Sequence, residues 1–227
     1  MLKRIIMMGA PGSGKGTFGS LLAKDLQIPT VTLGDEIRKI SSENSNPFYQ
    51  PIFEAMHKGA LINDGIVWAI LANKINNTNI SEGFLLDGYP RKIEQALIME
   101  LCDFKYDLVI NLKQHEEVII AKMLGRRVCT SCGANFNIAD IKFEEYSLPP
   151  RKPIKRGICD SCGGKLEPRK DDTKKTISKR LFEYKVHTLP LEDYFSNTGK
   201  LLEFTAYAGV SDYPKLLENV KERLGIK

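Results

Sequence analysis

The sequence of 227 residues predicts an α/β protein of three layers, a P-loop fold with a five-stranded parallel sheet between helices. Three observations carry this. "KRIIMMG" reads as a short buried strand that runs straight into the glycine-rich "GAPGSGKGT". "KGTFGSLLAKDL" then spaces Phe18, Leu21, Leu22 and Leu26 along one face of a helix, so the order is strand, glycine loop, helix. Finally, apolar strands alternate with helical patterns down the rest of the chain, which implies a parallel sheet covered on both faces.

Taken in order, "IPTVTLGD" is expected to be the second strand. Residues 34–62 replace a single crossover helix with a longer excursion, interrupted by "SSENSNPFYQP", and are read as a small helical insert. Asp64 is expected to cap a helix over residues 65–74, and "FLLDGYP" from Phe84 to form the third strand. A helix over residues 92–101, a fourth strand in "YDLVINL" from Tyr106 and a helix over residues 116–124 follow. Residues 126–172 form a second insert holding two CxxC pairs, and its run "SLPPRKPIKRG" argues against a regular core element. "KLLEFTA" from Lys200 supplies the fifth strand. The core domain is therefore read as residues 1–33, 63–125 and 173–227, with both inserts on the carboxyl-end side of the sheet, where open α/β sheets bind ligands.

Composition bounds the function. With 42% hydrophobic and 27% charged residues the chain has the material for a soluble core, and no segment approaches the roughly 18 apolar residues of a membrane span. The apolar run from Ile5 to Met8 is too short for a signal peptide, so a cytoplasmic protein is expected, with an organelle such as the mitochondrion as the alternative. Four of the five cysteines lie in CxxC pairs, which fits metal binding in a reducing compartment; Cys102, in "ALIMELCDF", is read as a buried packing residue. Net charge is +5, yet eleven Lys/Arg against four Asp/Glu fall within residues 149–180, leaving the remainder about neutral. Such a basic stretch is either a solvated surface or a place for an anionic partner.

The glycine loop is where chemistry first shows. Gly9, Gly12, Gly14 and Gly16 let backbone amides point inward as an anion nest, and Lys15 adds a point charge. The Ser or Thr that normally follows the lysine as a magnesium ligand is Gly16 here, with a hydroxyl one place late at Thr17. Asp87, ending an apolar strand, is placed to hold magnesium through water. Arg38, Arg91, Arg126, Arg169 and Arg180 are dispersed as phosphoryl transfer requires, since that chemistry asks a protein for positioning and charge neutralisation. Cys129, Cys132, Cys159 and Cys162, each pair followed by glycine, match a structural zinc site of two knuckles. The 26 residues between the pairs allow a longer hairpin there, and redox-active cysteines or an iron–sulfur centre stay open as alternatives. His57, His115 and His187 are isolated in sequence and are assigned no chemistry.

In order and spacing, "GAPGSGKGT", "LGDEIR", "GFLLDGYPR", "GRRVC" and "RKDD" with "KRL" resemble the adenylate kinases, and more broadly the nucleoside monophosphate kinases with a long lid. The resemblance covers essentially the whole chain. It implies reversible phosphoryl transfer from Mg-ATP to AMP, giving two ADP, in a monomer that needs no nucleic acid or membrane. By family role Gly12, Ser13, Gly14, Lys15, Gly16 and Thr17 would cradle the donor phosphates, and Arg126, Arg169 and Arg180 would gather around both substrates. Arg38 and Arg91 would clamp the AMP phosphate, Gly88 would line the acceptor site, Gln95 would read the acceptor base and Ile62 would pack near it. Asp87, Asp171 and Asp172 would orient hydrated magnesium or brace a closed lid, and Phe136 would lie near the donor.

Two residues depart from the family pattern. Leu33 stands where a Thr commonly meets the acceptor adenine, and Lys122 where an arginine commonly stacks on the donor base. "AYAGVSDYP" does not match the usual "DGT" loop either. A GTP:AMP phosphotransferase, a kinase of another monophosphate, a catalytically weak relative and a zinc-knuckle nucleic-acid-binding protein are the competing readings.

Overall fold

Strands buried on both sides sort their side chains between two layers by simple alternation, and that sorting builds this molecule. A computed structural model describes residues 2–58, 62–169 and 171–226, and of residues 57 and 58 the backbone alone. The side chain of His57 and the last part of the first expected insert, residues 59–61, therefore lie outside the described residues.

From the amino end the elements are β1 (Lys3–Gly9), α1 (Lys15–Leu26), β2 (Thr30–Thr32), α2 (Leu33–Ile40), α3 (Tyr49–Lys58) and α4 (Asp64–Asn76). Next come β3 (Gly83–Asp87), α5 (Ile93–Leu101), β4 (Leu108–Lys113) and α6 (Glu116–Gly125). The region of the cysteines contributes β5 (Arg126–Cys129), β6 (Asn135–Asn137), β7 (Ile141–Phe143), β8 (Tyr146–Leu148) and β9 (Leu166–Glu167). Then α7 (Lys174–Glu183) passes through a π-helical turn (Tyr184–Thr188) to α8 (Leu191–Ser196), β10 (Leu201–Thr205), a short 3-10 turn and α9 (Tyr213–Leu224).

The main sheet has the five parallel strands expected, in the order β10-β4-β1-β3-β2. Ile6, Met8, Val31, Phe84, Leu86 and Val109 face one apolar cluster with α4 and α5. Ile5, Met7, Leu85, Leu108, Ile110 and Phe204 face the other, with α1 and α9. Their burial is complete or nearly so, with Ile5, Ile6, Leu85 and Leu86 at 0% exposure.

Three local expectations need correction. The second strand stops at Thr32, because Leu33, Gly34 and Asp35 already belong to α2. Asn63, rather than Asp64, caps α4: its Oδ1 accepts from the amides of Gly65 and Ile66 at 2.9 and 3.4 Å. Cys102 is exposed. The face of α5 that buries Gln95, Ala96 and Met99 ends with the helix at Leu101, one residue before the turn would have carried Cys102 inward.

The cysteine region divides in two. β6, β5 and β9 form a small antiparallel sheet at the knuckles. The hairpin of β7 and β8 is instead docked on α6, where Ile141, Tyr146 and Leu148 bury Val118. Tyr146 Oη accepts from the His115 amide at 3.1 Å, and the Ser147 amide donates to the Tyr207 carbonyl at 2.9 Å. The tyrosine rings lie 5.0 Å apart. The intervening chain thus does make a hairpin, but against the core helix and not between the knuckles.

Leu85→Ala should lower unfolding free energy by about 2–5 kcal/mol in denaturant titration, because the sheet offers no room for collapse around the lost methyls. Leu101, 86% exposed, should tolerate alanine within about 0.5 kcal/mol.

Candidate functional site

Where β1 ends, Gly9, Gly12 and Gly14 take φ of 132°, 85° and 113°, values that side-chain-bearing residues rarely adopt. At Gly12 there is a second reason: a Cβ would come within 2.6 Å of Met123 Cγ on α6. The loop is thus wound tightly against α6, and it ends at Gly14, which gives α1 no side-chain cap. The first amides of that helix are left for an anion. Lys15 Nζ folds back onto the carbonyls of Gly9 and Ala10, at 2.7 and 2.9 Å. Among the described residues, buried Ser13 Oγ has no hydrogen-bond partner, Thr17 is half-buried, and Gly16 is exposed with none of their atoms within 4 Å of where a Cβ would stand. The residue that breaks the usual motif therefore faces open space in the cleft.

Beside it, α2 and the end of β3 make a second cradle. Gly34 and Gly88 approach closely enough that a Cβ on Gly88 would lie 3.9 Å from the Gly34 amide nitrogen and 3.2 Å from Arg91 Nη2. Arg91 Nε donates to the Gly88 carbonyl at 2.9 Å, while Arg38 pairs with Asp35 over Gly34. Asp87 stands between the two cradles: burial holds its pKa above the usual carboxylate value, and Lys15, Arg91 and Arg38 offset only part of that rise. Gln95 is buried with its side-chain amide held by Arg91 and Asp64, and Ile62 is half-buried against the adjoining cluster. Leu33, expected at the acceptor base, turns its side chain into that same cluster at 2% exposure.

Three further arginines stand on paired carboxylates, Arg126 and Arg180 acting on Lys15 of the first cradle and Arg169 on Arg126 and on Arg38 of the second. Arg126 grips Asp172 through two bonds of 2.6 Å, and the Asp172 side chain is 2% exposed. Arg169 reaches Asp171 at 2.6 Å, and Arg180 reaches Asp171 at 3.2 Å and Asp172 at 3.6 Å. Both carboxylates sit in the turn just before α7, where Thr173 caps the helix. Although burial works to raise it, the Asp171 pKa is lowered by Arg169 and Arg180.

The cations pay for this crowding. Lys15 is lowered to about 8, first by desolvation, with Asp87 opposing the change and Arg91, Arg180 and Arg126 adding to it. Arg180 is lowered to about 10, and Arg91 and Arg169 are lowered as well, in each case mainly by desolvation. Lys122 is lowered to about 8 by burial and by Lys15 and Arg126. Its ammonium lies on the glycine loop, donating to the Ser13 carbonyl at 2.9 Å and to Gln114 Oε1 at 2.7 Å. A site so charged and so poorly hydrated is made for a polyanion.

In β6, Phe136 is buried with Cys129, Cys159 and Leu166. Strand alternation sends its neighbour Asn137 the other way, to the Lys122 carbonyl at 2.9 Å. The four cysteines converge, all Sγ atoms lying within 4.8 Å of one another. Cys129 to Cys162 is 3.5 Å and Cys132 to Cys159 is 3.6 Å. A disulfide needs about 2.05 Å, whereas four thiolates about 2.3 Å from a tetrahedral metal ion stand roughly 3.8 Å apart. Amides of Cys132 and Ser131 bring the Cys129 thiol down to about 6; Cys162 is pushed up by the neighbouring sulfurs despite the Gly164 amide. The set fits a four-coordinate metal ion.

Three residues of this site were not singled out for it in the sequence. Gln114, just past β4, ties Lys122 to the Ala206 carbonyl, at 3.2 Å. Its place at a strand's carboxyl end is the signal that could have found it. Asn137 is betrayed by alternation in "NFN", and Asp64 was read only as a cap.

The sequence profile of the family described as "Adenylate kinase" matches residues 7–200. A protein of Caldicellulosiruptor saccharolyticus named "Adenylate kinase" is 39% identical, over 99% of this chain and 100% of its own. Another of that name, from Clostridium tetani, is 37% identical over 97% of this chain and 98% of its own. "Probable adenylate kinase 6, chloroplastic" from Oryza sativa subsp. japonica is 39% identical over 94% of this chain and 75% of its own.

Anion binding favours protonated lysine, so the free-state pKa of about 8 at Lys15 and Lys122 sets the pH at which affinity begins to fall. Calorimetric titration with inorganic tripolyphosphate at fixed ionic strength, with affinities expressed for the fully ionised polyphosphate, should give constant affinity below pH 8 and weaker binding up to pH 9.5. Lys122→Gln should reduce the slope, and a flat profile would contradict the assignment.

Proposed function

The chain belongs to the adenylate kinase family, and on that footing we propose which of its residues carry the reversible phosphoryl transfer between ATP and AMP. It is a phosphotransferase that uses Mg-ATP, and its relatives' names favour this activity over a guanosine donor. The observation that supports the residue assignment best is the pair of anion cradles, one at Lys15 and one at Arg38 and Arg91, with Asp87 between them.

In this reading the donor polyphosphate lies along Gly12, Ser13, Gly14, Lys15, Gly16 and Thr17, and Lys15 exchanges two carbonyls for phosphate oxygens. The AMP phosphate is clamped by Arg38 and Arg91 beside Gly88, with Gln95 on the base and Ile62 near it. An oxygen of that phosphate attacks the terminal phosphorus of ATP, the bond to the bridging oxygen breaks, and ADP is left on each side. The attacking oxygen is already an anion, so no general base is required. Arg126, Arg169 and Arg180 meet the charge spread over the transferring group. Magnesium bound to ATP screens its phosphates, and Asp87 would hold that ion through water.

The inserts at 34–62 and 126–172 are proposed to close over both substrates, excluding water that would otherwise take the phosphoryl group. Zinc on Cys129, Cys132, Cys159 and Cys162 would stiffen the second insert and leave no coordination position for chemistry. The sulfur geometry supports zinc over a redox disulfide. We propose a monomer acting on small nucleotides, without nucleic acid or membrane, in the cytoplasm; an organelle is the alternative. No helix of the described residues is long and apolar enough to cross a membrane.

A matrix of initial rates, with each nucleoside triphosphate against each monophosphate, tests the reading: ATP with AMP should dominate, and absence of that activity would refute it. Lys15→Gln should lower kcat roughly a hundredfold or more in coupled assay, with the fold intact by circular dichroism. Metal analysis should find about one zinc per chain, and Cys129→Ser should depress Tm more than it depresses kcat at low temperature.

A further inference from the structure

We infer that Asp64 decides which way round the Gln95 amide faces, and thereby makes adenine the preferred base at the acceptor site. The inference rests on the reading of Gln95 as the residue that meets that base. Gln95 is 5% exposed, so its amide has little water to turn in. Its Oε1 accepts from the Arg91 backbone amide at 2.7 Å, and its Nε2 donates to Asp64 Oδ1 at 2.8 Å. An amide nitrogen of the backbone can only donate and a carboxylate can only accept, so the partners themselves assign the orientation. Turning the side chain over would set Oε1 against the carboxylate and the NH2 group against N–H, losing both bonds at once.

Asp64 is itself held in place. Its Oδ2 lies 2.6 Å from Lys92 Nζ, and it occupies the first turn of α4 just behind the Asn63 cap. Three elements therefore converge on one amide: the start of α4, the start of α5 and the segment after β3.

What this leaves for a ligand follows from valence. A primary amide has two N–H donors and two oxygen lone pairs, and one of each is consumed here. One donor and one acceptor remain, their order fixed. Adenine answers with the acceptor N1 and the donor N6. Hypoxanthine reverses the two, with a proton on N1 and an acceptor oxygen at position 6, and would need the overturned amide. Sites that hydrogen-bond a substrate discriminate strongly because the wrong partner leaves buried polar groups unpaired. Leu33, buried in the adjoining cluster, presents no hydroxyl that could adapt to either base, so the polarity of Gln95 carries the choice.

The test is the ratio of kcat/KM for AMP to that for IMP, with ATP as donor. Asp64→Asn keeps size and shape but satisfies either orientation of Gln95, leaving the Arg91 amide alone to hold it; it should lower the ratio severalfold, with KM for ATP held. A merely structural aspartate would depress both acceptors alike. Lys92→Met, which frees the carboxylate without removing it, should shift the ratio the same way by less, and serves if Asp64→Asn fails to fold. Gln95→Ala separates the two ideas. If it collapses the ratio while neither Asp64→Asn nor Lys92→Met changes it twofold, Asp64 does not set the polarity and the reading of Gln95 stands. If Gln95→Ala leaves the ratio unchanged, Gln95 does not read the base and both fail. With both supported, Asp64→Asn should have no further effect on the ratio in the Gln95→Ala background.

Discussion

Positive charges that repel one another have to be held around a single cleft, and most of the architecture answers that repulsion. Burial lowers Lys15 to about 8, and Arg91, Arg180 and Arg126 lie near enough to add to that lowering. What keeps them there is a sparse set of anions on rigid supports. Asp87 closes β3 between the cradles, and Asp171 and Asp172 stand in the turn that starts α7. A bidentate grip such as Arg126 on Asp172 fixes direction as well as distance. The three carboxylates are fewer than the cations, and the imbalance leaves a net positive charge at the site.

The sheet serves this arrangement by its ends alone. Its two buried faces fix the strands, so that the loop after β1 and Asp87 on β3 meet at one carboxyl edge. Strands β1 and β3 run in register from Lys3 against Gly83 to Met7 against Asp87. A shift of one residue would turn Asp87 to the other layer. Lys122 belongs to the same economy: donating to the Ser13 carbonyl, it braces the loop from α6.

Much of this was legible in the sequence because it is local. The glycine loop, the helix behind it and the alternation of strands are patterns of neighbouring residues, and they place five strands correctly. The convergence of Cys129, Cys132, Cys159 and Cys162 was legible too, since the chemistry of thiolates leaves few other uses for such a pattern. The relation of Gln95 to Asp64 was not, because it joins positions 31 residues apart through a turn whose shape no local pattern fixes. Cys102 failed for a smaller reason. It was read by its apolar surroundings in sequence, while its exposure is set at the last turn of a helix.

The hairpin on α6 gives the spacing between the cysteine pairs a different meaning. Chain that leaves the knuckle after Asn137 is stored against Val118 and Tyr207 and then returns through the bridge from Asn137 to Arg151. The two ends of the stored segment are therefore neighbours, and the four sulfur atoms do not sense its length. Adding or removing a hairpin there leaves every sulfur atom in place, so the 26 residues between the CxxC pairs put no constraint on the four-thiol cluster.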